Sequence, residues 1–384
     1  MTNTLKLNMT VEVMGCPTVC QHCWAMGRGY GAMPLEDISF VLEEVRRFCK
    51  AHGFEYGGYP MHEVDAHPQA VQVLRLFKEV WHEEEFQPFT TTGVPLATRP
   101  DWREILETLR ELETTTLWFA FHGAGAIHDR AVMRPGAYYE SLRAVELTRE
   151  VGMRSGCNLF ITKENIHQFD QLVEDLQRAG MQEIIPCLYG FTPNARGRHS
   201  EPLRPEWRDI EPLVEKLDAI PQTCLWRHFW HELPHKHTES WYVEQALAGI
   251  WPEEEREQYE EAYRNMVSLV CRPNLDVYSG FAGQYTTRYG NLRRDGVDEV
   301  LSRAMSAGTS SYDEIWFGEM QIPPIKELAT RFGDARSQRI HPHSFSIRDW
   351  WIDSARPAGR SQQFSADSAR LARGEQGAAS DAYL

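Results

Sequence analysis

Residues 5–23 read LKLNMTVEVMGCPTVCQHC, and this stretch decides the fold because it joins a strand pattern to a cysteine cluster. In its first half, apolar side chains alternate with polar ones, as they do in a strand of a half-buried sheet. Its second half places Cys16, Cys20 and Cys23 within eight residues. A tetrahedral zinc site needs four ligands and a disulfide framework needs an even number of cysteines, so three thiols require another explanation.

The sequence up to about residue 190 repeats an alternation of strand and helix. After the cysteines, apolar residues recur at helical spacing between Pro34 and Gly53, which are start and stop signals. Further strands are predicted near residues 54–56, 88–92, 115–121, 156–162 and 183–189, with helices near 67–84, 101–112, 137–150 and 169–176. This order predicts a parallel sheet, either open or curled into a barrel. In a barrel the loops after the strands meet at one mouth, so we expect these loops to build one site.

The composition argues against several classes of protein. A formal net charge of -15 disfavours binding to nucleic acid. The eight cysteines are unevenly spaced and no signal peptide precedes them, so we expect a cytoplasmic chain with reduced thiols rather than a secreted disulfide scaffold. No apolar run approaches the roughly 18 residues of a membrane span, so we expect a soluble protein with no membrane partner.

The cysteine loop resembles the Cys-x3-Cys-x2-Cys motif of the radical S-adenosylmethionine (radical SAM) enzymes, which follows the first strand of a partial barrel. Residues 57–60, GGYP, resemble the family's Gly-Gly-Glu-Pro stretch, with Tyr59 in place of the glutamate. Residues 121–152 also look like the fourth strand and helix of that family. The resemblance covers about residues 5–195 and implies an α/β fold, a partial (β/α)6 TIM-type barrel with a C-terminal α+β cap.

The resemblance also implies the cofactors. Cys16, Cys20 and Cys23 would hold three irons of one [4Fe-4S] cluster, and S-adenosylmethionine would chelate the fourth. One electron, from a flavodoxin- or ferredoxin-type donor, would then produce a 5′-deoxyadenosyl radical that takes a hydrogen from the substrate. A zinc site completed by His22 or His62 remains the alternative for the three thiols.

Further residues are implied as contacts of S-adenosylmethionine. His22 stands where the family often has an aromatic residue near the adenine, and Asn158 stands where ribose or carboxylate contacts would fall. The second loop, which in the family receives the methionine amino group, comprises Gly57, Gly58, Tyr59 and Pro60. Each has a simpler alternative: a tight turn for the glycines, an exposed loop histidine and a polar strand-end asparagine.

The C-terminal part resembles the SPASM/twitch-like extension of some radical SAM enzymes. Residues 271–296 carry that likeness, but Cys271 is the single cysteine in them, so we expect a cap that lacks a complete set of cluster ligands. Cys271 is then small core filling. The predicted domains are a barrel of residues 1–200, a cap of residues 201–352 and a disordered tail of residues 353–384.

Two enzymatic interpretations and one non-catalytic interpretation remain open. A small-metabolite substrate is favoured over a ribosomally made peptide because little sequence precedes Cys16 and auxiliary clusters are not expected. The third interpretation is an iron-sulfur scaffold or sensor, which would need a fourth protein ligand for the cluster. The sequence does not identify the substrate, the hydrogen that is abstracted or the residue that quenches the radical.

Overall fold

The computed structural model describes residues 5–23, 31–61, 63–81, 86–188, 201–205, 209, 211–213, 216, 266–279 and 287–307. Several sequence predictions lie outside these residues. They are the loop that follows the sixth strand, His62, most of the cap and the C-terminal tail.

The first strand, β1 (Lys6–Glu12), forms as the alternating pattern predicts. Its residues Leu7, Met9 and Val11 are fully buried against the helices, whereas Asn8 and Thr10 on the opposite face are half-buried. Helix α1 (Leu35–His52) covers this strand and ends at Gly53, whose φ of 72° allows its N–H to reach the Cys49 carbonyl. The left-handed conformation at this position favours glycine and stops the helix.

The alternation of strands and helices continues along the chain. The elements are β2 (Glu55–Met61), α2 (Ala70–Lys78), β3 (Thr90–Thr91), α3 (Val94–Thr98), α4 (Trp102–Glu111), β4 (Thr116–Phe121), α5 (Ala126–Val132), α6 (Ala137–Glu150), β5 (Arg154–Ile161), α7 (Phe169–Ala179) and β6 (Glu183–Leu188). Strands β1 and β2 are parallel, and β3 to β6 pair in parallel in chain order. This confirms the α/β fold expected from the sequence and is consistent with a partial TIM-type barrel.

The prediction of a loop at Gly57, Gly58, Tyr59 and Pro60 is wrong. These residues were expected in a loop, but they lie inside β2 and pair with residues 8–11 of β1. Proline fits here because β2 is an edge strand of its sheet among the described residues, so the missing N–H removes no ladder hydrogen bond. The loop that follows β2 therefore begins at about residue 62.

The C-terminal residues add three strands and a helix. Strand β7 (Met266–Cys271) lies parallel to β1 on the side opposite β2, and β8 (Asp276–Ser279) and β9 (Arg288–Asn291) continue the sheet antiparallel. Helix α8 (Val297–Ser306) follows β9. Cys271 is fully buried in the core, as the sequence predicts. The direct pairing of β7 with β1 was not predicted, because the sequence pattern separates barrel and cap.

None of the helices in the part of the chain that the structure describes is long and apolar enough to cross a membrane.

Gly93 provides a test of the packing between α3 and α6. Its φ is 80°, and a Cβ there would lie 2.9 Å from the Cβ of Ala144 and 3.1 Å from the Cα of Ser141. We expect Gly93→Ala to lower the free energy of unfolding by on the order of 2–3 kcal/mol, because backbone strain and a steric clash add. Urea unfolding measures this loss.

Gly152→Ala is the matched control. Gly152 has a similar φ of 76°, but nothing lies within 4 Å of the added Cβ, so this variant should lose only about 1–2 kcal/mol from strain. Equal losses in the two variants would show that the contact with α6 is not tightly packed.

Candidate functional site

The cysteine loop lies directly after β1 and is fixed by backbone hydrogen bonds to the end of α5. The N–H of Val19 donates to the Val132 carbonyl at 3.1 Å, and the N–H of Gln21 donates to the Ala131 carbonyl at 2.9 Å. The Thr18 hydroxyl oxygen is 3.2 Å from Cys16 Sγ and 3.4 Å from Cys20 Sγ. These contacts bring two of the sulfur atoms together around one hydroxyl group.

The thiols of this loop are poorly hydrated. Burial raises the pKa of the Cys20 thiol to about 12, and burial together with the nearby Glu63 raises the pKa of Cys16 further. Cys16, Cys20 and Cys23 are half-buried and form no disulfide. A buried thiol loses its proton when a soft metal replaces it, so the donor set fits a metal centre held by cysteines. Three thiols on one short loop also fit three corners of a [4Fe-4S] cluster.

A buried carboxyl pair lies beside the cysteine loop, and the sequence analysis missed it. Glu63 and Asp65 follow β2 and are at most 4% exposed. Cys16 Sγ donates to Glu63 Oε1 at 3.7 Å, and the Thr92 N–H donates to the same oxygen at 3.0 Å. The Thr91 hydroxyl donates to Asp65 Oδ2 at 2.7 Å and lies 3.1 Å from Glu63 Oε2.

Two features of the sequence could have revealed this pair. Residues 62–65, HEVD, place two carboxyl groups directly after the strand that pairs with β1, and residues 90–92 are three consecutive threonines at the end of the next strand. The ends of parallel strands meet at one edge of a barrel, so the hydroxyl groups face the carboxyl groups. The misplaced end of β2 hid this relation.

The carboxyl pair holds protons more tightly than isolated carboxyl groups do. Burial raises the pKa of Glu63 well above its ordinary value, and the neighbouring Asp65 raises it further. Burial also raises the pKa of Asp65, from 3.8 to about 6. The two carboxyl groups therefore resist carrying two full negative charges at once, and a cation placed beside them would favour their ionised form.

Three histidines surround the opposite side of the cysteine loop. The rings of His22 and His122 have their centroids 4.3 Å apart, and Phe160 stacks on His122 at 4.8 Å. The His122 backbone N–H donates to His128 Nδ1 at 3.2 Å, and Asn165 Nδ2 donates to the His122 carbonyl at 2.9 Å. Burial lowers the pKa of His122 well below its ordinary value, so its imidazole is neutral. The result is a surface of aromatic rings beside the cysteine loop.

Strands β4 and β5 continue this surface away from the loop. The parallel register pairs Trp118 with Gly156 and Ala120 with Asn158, which places these residues and Phe160 on one face. A Cβ at Gly156 would lie 2.8 Å from the Trp118 ring, so the glycine makes room for the indole. Asn158 is half-buried and its Oδ1 lies 3.9 Å from the Cys187 thiol. This face combines aromatic rings with one amide.

The structure places the remaining predicted residues on β2. A Cβ at Gly57 would lie 2.5 Å from Asn8 Oδ1, so glycine lets the two strands approach at this point. Gly58 faces the other way, against Tyr56 and Val80. The Tyr59 ring packs edge-on against Trp81 at 5.1 Å. The roles predicted for Gly57, Gly58, Tyr59, Pro60, His22 and Asn158 in binding S-adenosylmethionine stay predictions.

Comparison with known proteins finds a family model that matches part of the chain. Residues 13–176, which include the cysteine loop and strands β2 to β5, match the family model described as the radical SAM superfamily. The matched residues are a little under half of the chain. The cofactors of this family are a [4Fe-4S] cluster and S-adenosylmethionine, and the cysteine loop offers the thiols that such a cluster needs.

Individual relatives are distant. An AdoMet-dependent heme synthase of Methanosarcina barkeri is 22% identical over 241 residues, which are 60% of this chain and 64% of that protein. The match thus spans less than two thirds of the relative's length. The crystal structure of Streptococcus suis SuiB is 15% identical with a TM-score of 0.50, over 89% of this chain and 77% of SuiB. This likeness supports the fold of the radical SAM domain.

The raised pKa of Asp65 predicts how stability depends on pH. The folded chain binds the Asp65 proton more tightly than the unfolded chain does, so this group lowers stability as the pH rises from about 4 to 6. We expect Asp65→Asn to remove that loss, so that the variant gains stability relative to the wild type across this interval. Urea unfolding at several pH values measures the difference.

Asp101→Asn is a control of opposite sign. The hydrogen bond from Arg99 lowers the pKa of Asp101, so the stability contributed by Asp101 is present above the ordinary pKa and is lost as the pH falls. A pH profile of Asp65→Asn that is parallel to the wild type would show that Asp65 titrates normally in the folded chain.

Proposed function

We propose that this chain is a radical SAM enzyme with one [4Fe-4S] cluster, and that it takes a hydrogen atom from a small-molecule substrate. The observation that carries the proposal is the meeting of the cysteine loop with buried Glu63 at the ends of β1 and β2, within a matched radical SAM domain. When bound, the cluster supplies the electron that cleaves S-adenosylmethionine to methionine and a 5′-deoxyadenosyl radical.

The three thiols have the first role. Cys16, Cys20 and Cys23 would each hold one iron, which leaves the fourth iron of the cluster for S-adenosylmethionine. Because burial raises the pKa of Cys16 and Cys20, these two thiols release their protons as the metal binds. The hydrogen bonds from the loop to α5 keep the loop backbone in place while this exchange occurs.

Glu63 is our candidate for the group that receives the methionine ammonium. The position of the family's glutamate is occupied by Tyr59, whose ring packs against Trp81 rather than offering a carboxylate. The Glu63 carboxylate lies 3.7 Å from Cys16 Sγ and is held by the Thr92 N–H. A carboxylate paired with an ammonium group in a buried site forms a strong hydrogen bond.

The histidine surface suits the adenine, and the β4–β5 face suits the substrate. His22, His122 and Phe160 offer aromatic rings on which a flat heterocycle can stack. Beyond them, Trp118 and Asn158 lie where they can contact a substrate and exclude water from a radical. Asn158 supplies one polar group for orientation, which is typical of small-molecule sites.

Support for a small molecule also comes from the heme synthase of Methanosarcina barkeri, because heme is a small molecule. The low identity and partial coverage leave the substrate itself unassigned. A ribosomally made peptide is the alternative substrate class, and a non-catalytic scaffold is the alternative without chemistry.

The first experiment tests the assignment of Glu63. Glu63→Gln keeps an oxygen that can accept the Thr92 N–H but removes the negative charge. We expect unchanged iron content and binding of S-adenosylmethionine that is weaker by roughly tenfold or more, since a hydrogen bond to a charged group contributes about 1.5–3 kcal/mol. Equilibrium dialysis of the reconstituted protein measures the affinity. Glu164→Gln, in a more exposed loop, is the matched control, and equal affinities for all three proteins would remove Glu63 from the site.

The second experiment tests the reaction and the substrate class. Anaerobically reconstituted protein should hold about four irons per chain and release 5′-deoxyadenosine after reduction, and the triple change of Cys16, Cys20 and Cys23 to Ala should abolish both. Cell extract is then separated by dialysis, and each fraction is tested before and after protease treatment. Stimulation of 5′-deoxyadenosine release by a dialysable, protease-resistant fraction is the expected result.

Other outcomes of the second experiment are equally informative. Stimulation that disappears after protease treatment would replace the small molecule by a peptide. An intact cluster that yields no 5′-deoxyadenosine with any fraction would favour the scaffold interpretation.

A further inference from the structure

The cysteine loop faces two different chemical environments. Cys16 points toward the carboxyl pair, since its thiol donates to Glu63 at 3.7 Å. Cys20 lies near the histidines instead: the sulfur of Cys20 and one ring nitrogen each of His22 and His122 all lie within 4.8 Å of one another. Two imidazoles and one thiol thus converge on a single point beside the loop.

This donor set has the composition of a mononuclear zinc site. Zn²⁺ binds cysteine sulfur at about 2.3 Å and histidine nitrogen at about 2.0–2.1 Å in tetrahedral array, which places the ligand atoms about 3.3–3.8 Å apart. The observed separations, at most 4.8 Å, exceed this by no more than about 1.5 Å, which side-chain rotations can close. Three protein ligands leave the fourth position for water or another thiol of the loop.

His122 is held in the orientation that such a site requires. Its backbone N–H donates to His128 Nδ1, its carbonyl accepts from Asn165 Nδ2, and its ring stacks on Phe160. The side chain of Asn165 is fixed in turn, because its oxygen accepts the Thr162 N–H at 2.8 Å. A ligand whose backbone and ring are already fixed loses little conformational freedom when a metal binds.

We propose that the chain without its cluster binds one zinc ion through Cys20, His22 and His122, and that this ion blocks assembly of the cluster. The two metal centres exclude each other because both require the thiolate of Cys20. The block of cluster assembly rests on the proposed function, whereas the zinc site itself does not depend on that function. Cluster assembly in this chain would be sensitive to zinc through two histidines that are not needed to hold the cluster.

The test begins with Co²⁺ as a spectroscopic probe for zinc. Cluster-free, reduced wild type should bind one Co²⁺ per chain, with the visible bands of a tetrahedral site and a sulfur-to-cobalt charge-transfer band. His22→Gln and His122→Gln should each bind Co²⁺ more weakly by at least roughly 10–100-fold, the loss seen even for removal of an outer partner of a ligand. His167→Gln changes an exposed histidine that is not part of the proposed zinc site. It is the matched control and should bind Co²⁺ as the wild type does.

The second part measures competition. Wild type and His22→Gln are each given one equivalent of zinc before iron and sulfide, and iron per chain is then determined. We expect the wild type to take up much less iron than His22→Gln, and both proteins to reach the same iron content when zinc is omitted. Because His122 is buried, His22→Gln decides the outcome should His122→Gln fail to fold.

Three results would overturn the proposal. Co²⁺ binding that is unchanged in His22→Gln but lost in Cys16→Ala would show that the thiols alone hold the ion. Equal iron uptake by zinc-loaded wild type and His22→Gln would show that the two centres do not compete. An absence of Co²⁺ bands in the wild type would remove the site itself. Failure of every protein to build a cluster would instead count against the proposed function, and the Co²⁺ spectra would still report on the histidine site.

Discussion

Parallel pairing of β1 with a strand on each side is the constraint on which the site depends. β2 brings Glu63 and Asp65 to the edge where the cysteine loop begins, and β7 closes the other side. Each pairing fixes a register, and a shift of a strand by one residue would turn each of its side chains to the opposite face of the sheet. The loop can therefore place three thiols between a carboxyl pair and a histidine cluster without secondary structure of its own.

The surroundings of the loop differ sharply in charge. On one side, buried carboxyl groups that accept several hydrogen bonds are suited to a cation. Near Cys20, two imidazoles and a phenyl ring are suited to flat groups that stack on them. S-adenosylmethionine has an ammonium group at one end and an adenine at the other. The two environments match the two ends of that molecule, and this agreement is independent of the cysteine motif.

Much of the radical SAM domain could be predicted from the sequence. The alternation in residues 5–13 predicted β1, and helical spacing between Pro34 and Gly53 predicted α1, because burial on one face leaves a clear period. Helix α6 has the predicted bounds. The end of β2 was misplaced because glycines and a proline usually mark turns, and the sequence cannot reveal that an edge strand tolerates them.

The parts of the site that were missed involve residues distant in sequence. Glu63 meets Thr92, and His22 meets His122, only after the strands have been arranged in parallel. Such contacts can be predicted from the sequence only once the strand order and the end of β2 are known. The cysteine triad was recognisable because all its members lie on one loop, so local order alone determines their proximity. The pairing of β7 with β1 was missed for the same reason, because the paired residues, such as Leu7 and Val267, lie far apart in the sequence.

The contact between Glu12 and Arg272 connects the end of β1 with the residue that follows β7. Glu12 is fully buried just before the cysteine loop, and Arg272, directly after β7, lies 3.5 Å from its carboxylate. A buried carboxylate is costly without a nearby cation. The segment from β7 onward is therefore matched to β1. Recombination that exchanged this segment between relatives would also have to supply a partner for Glu12 in place of Arg272.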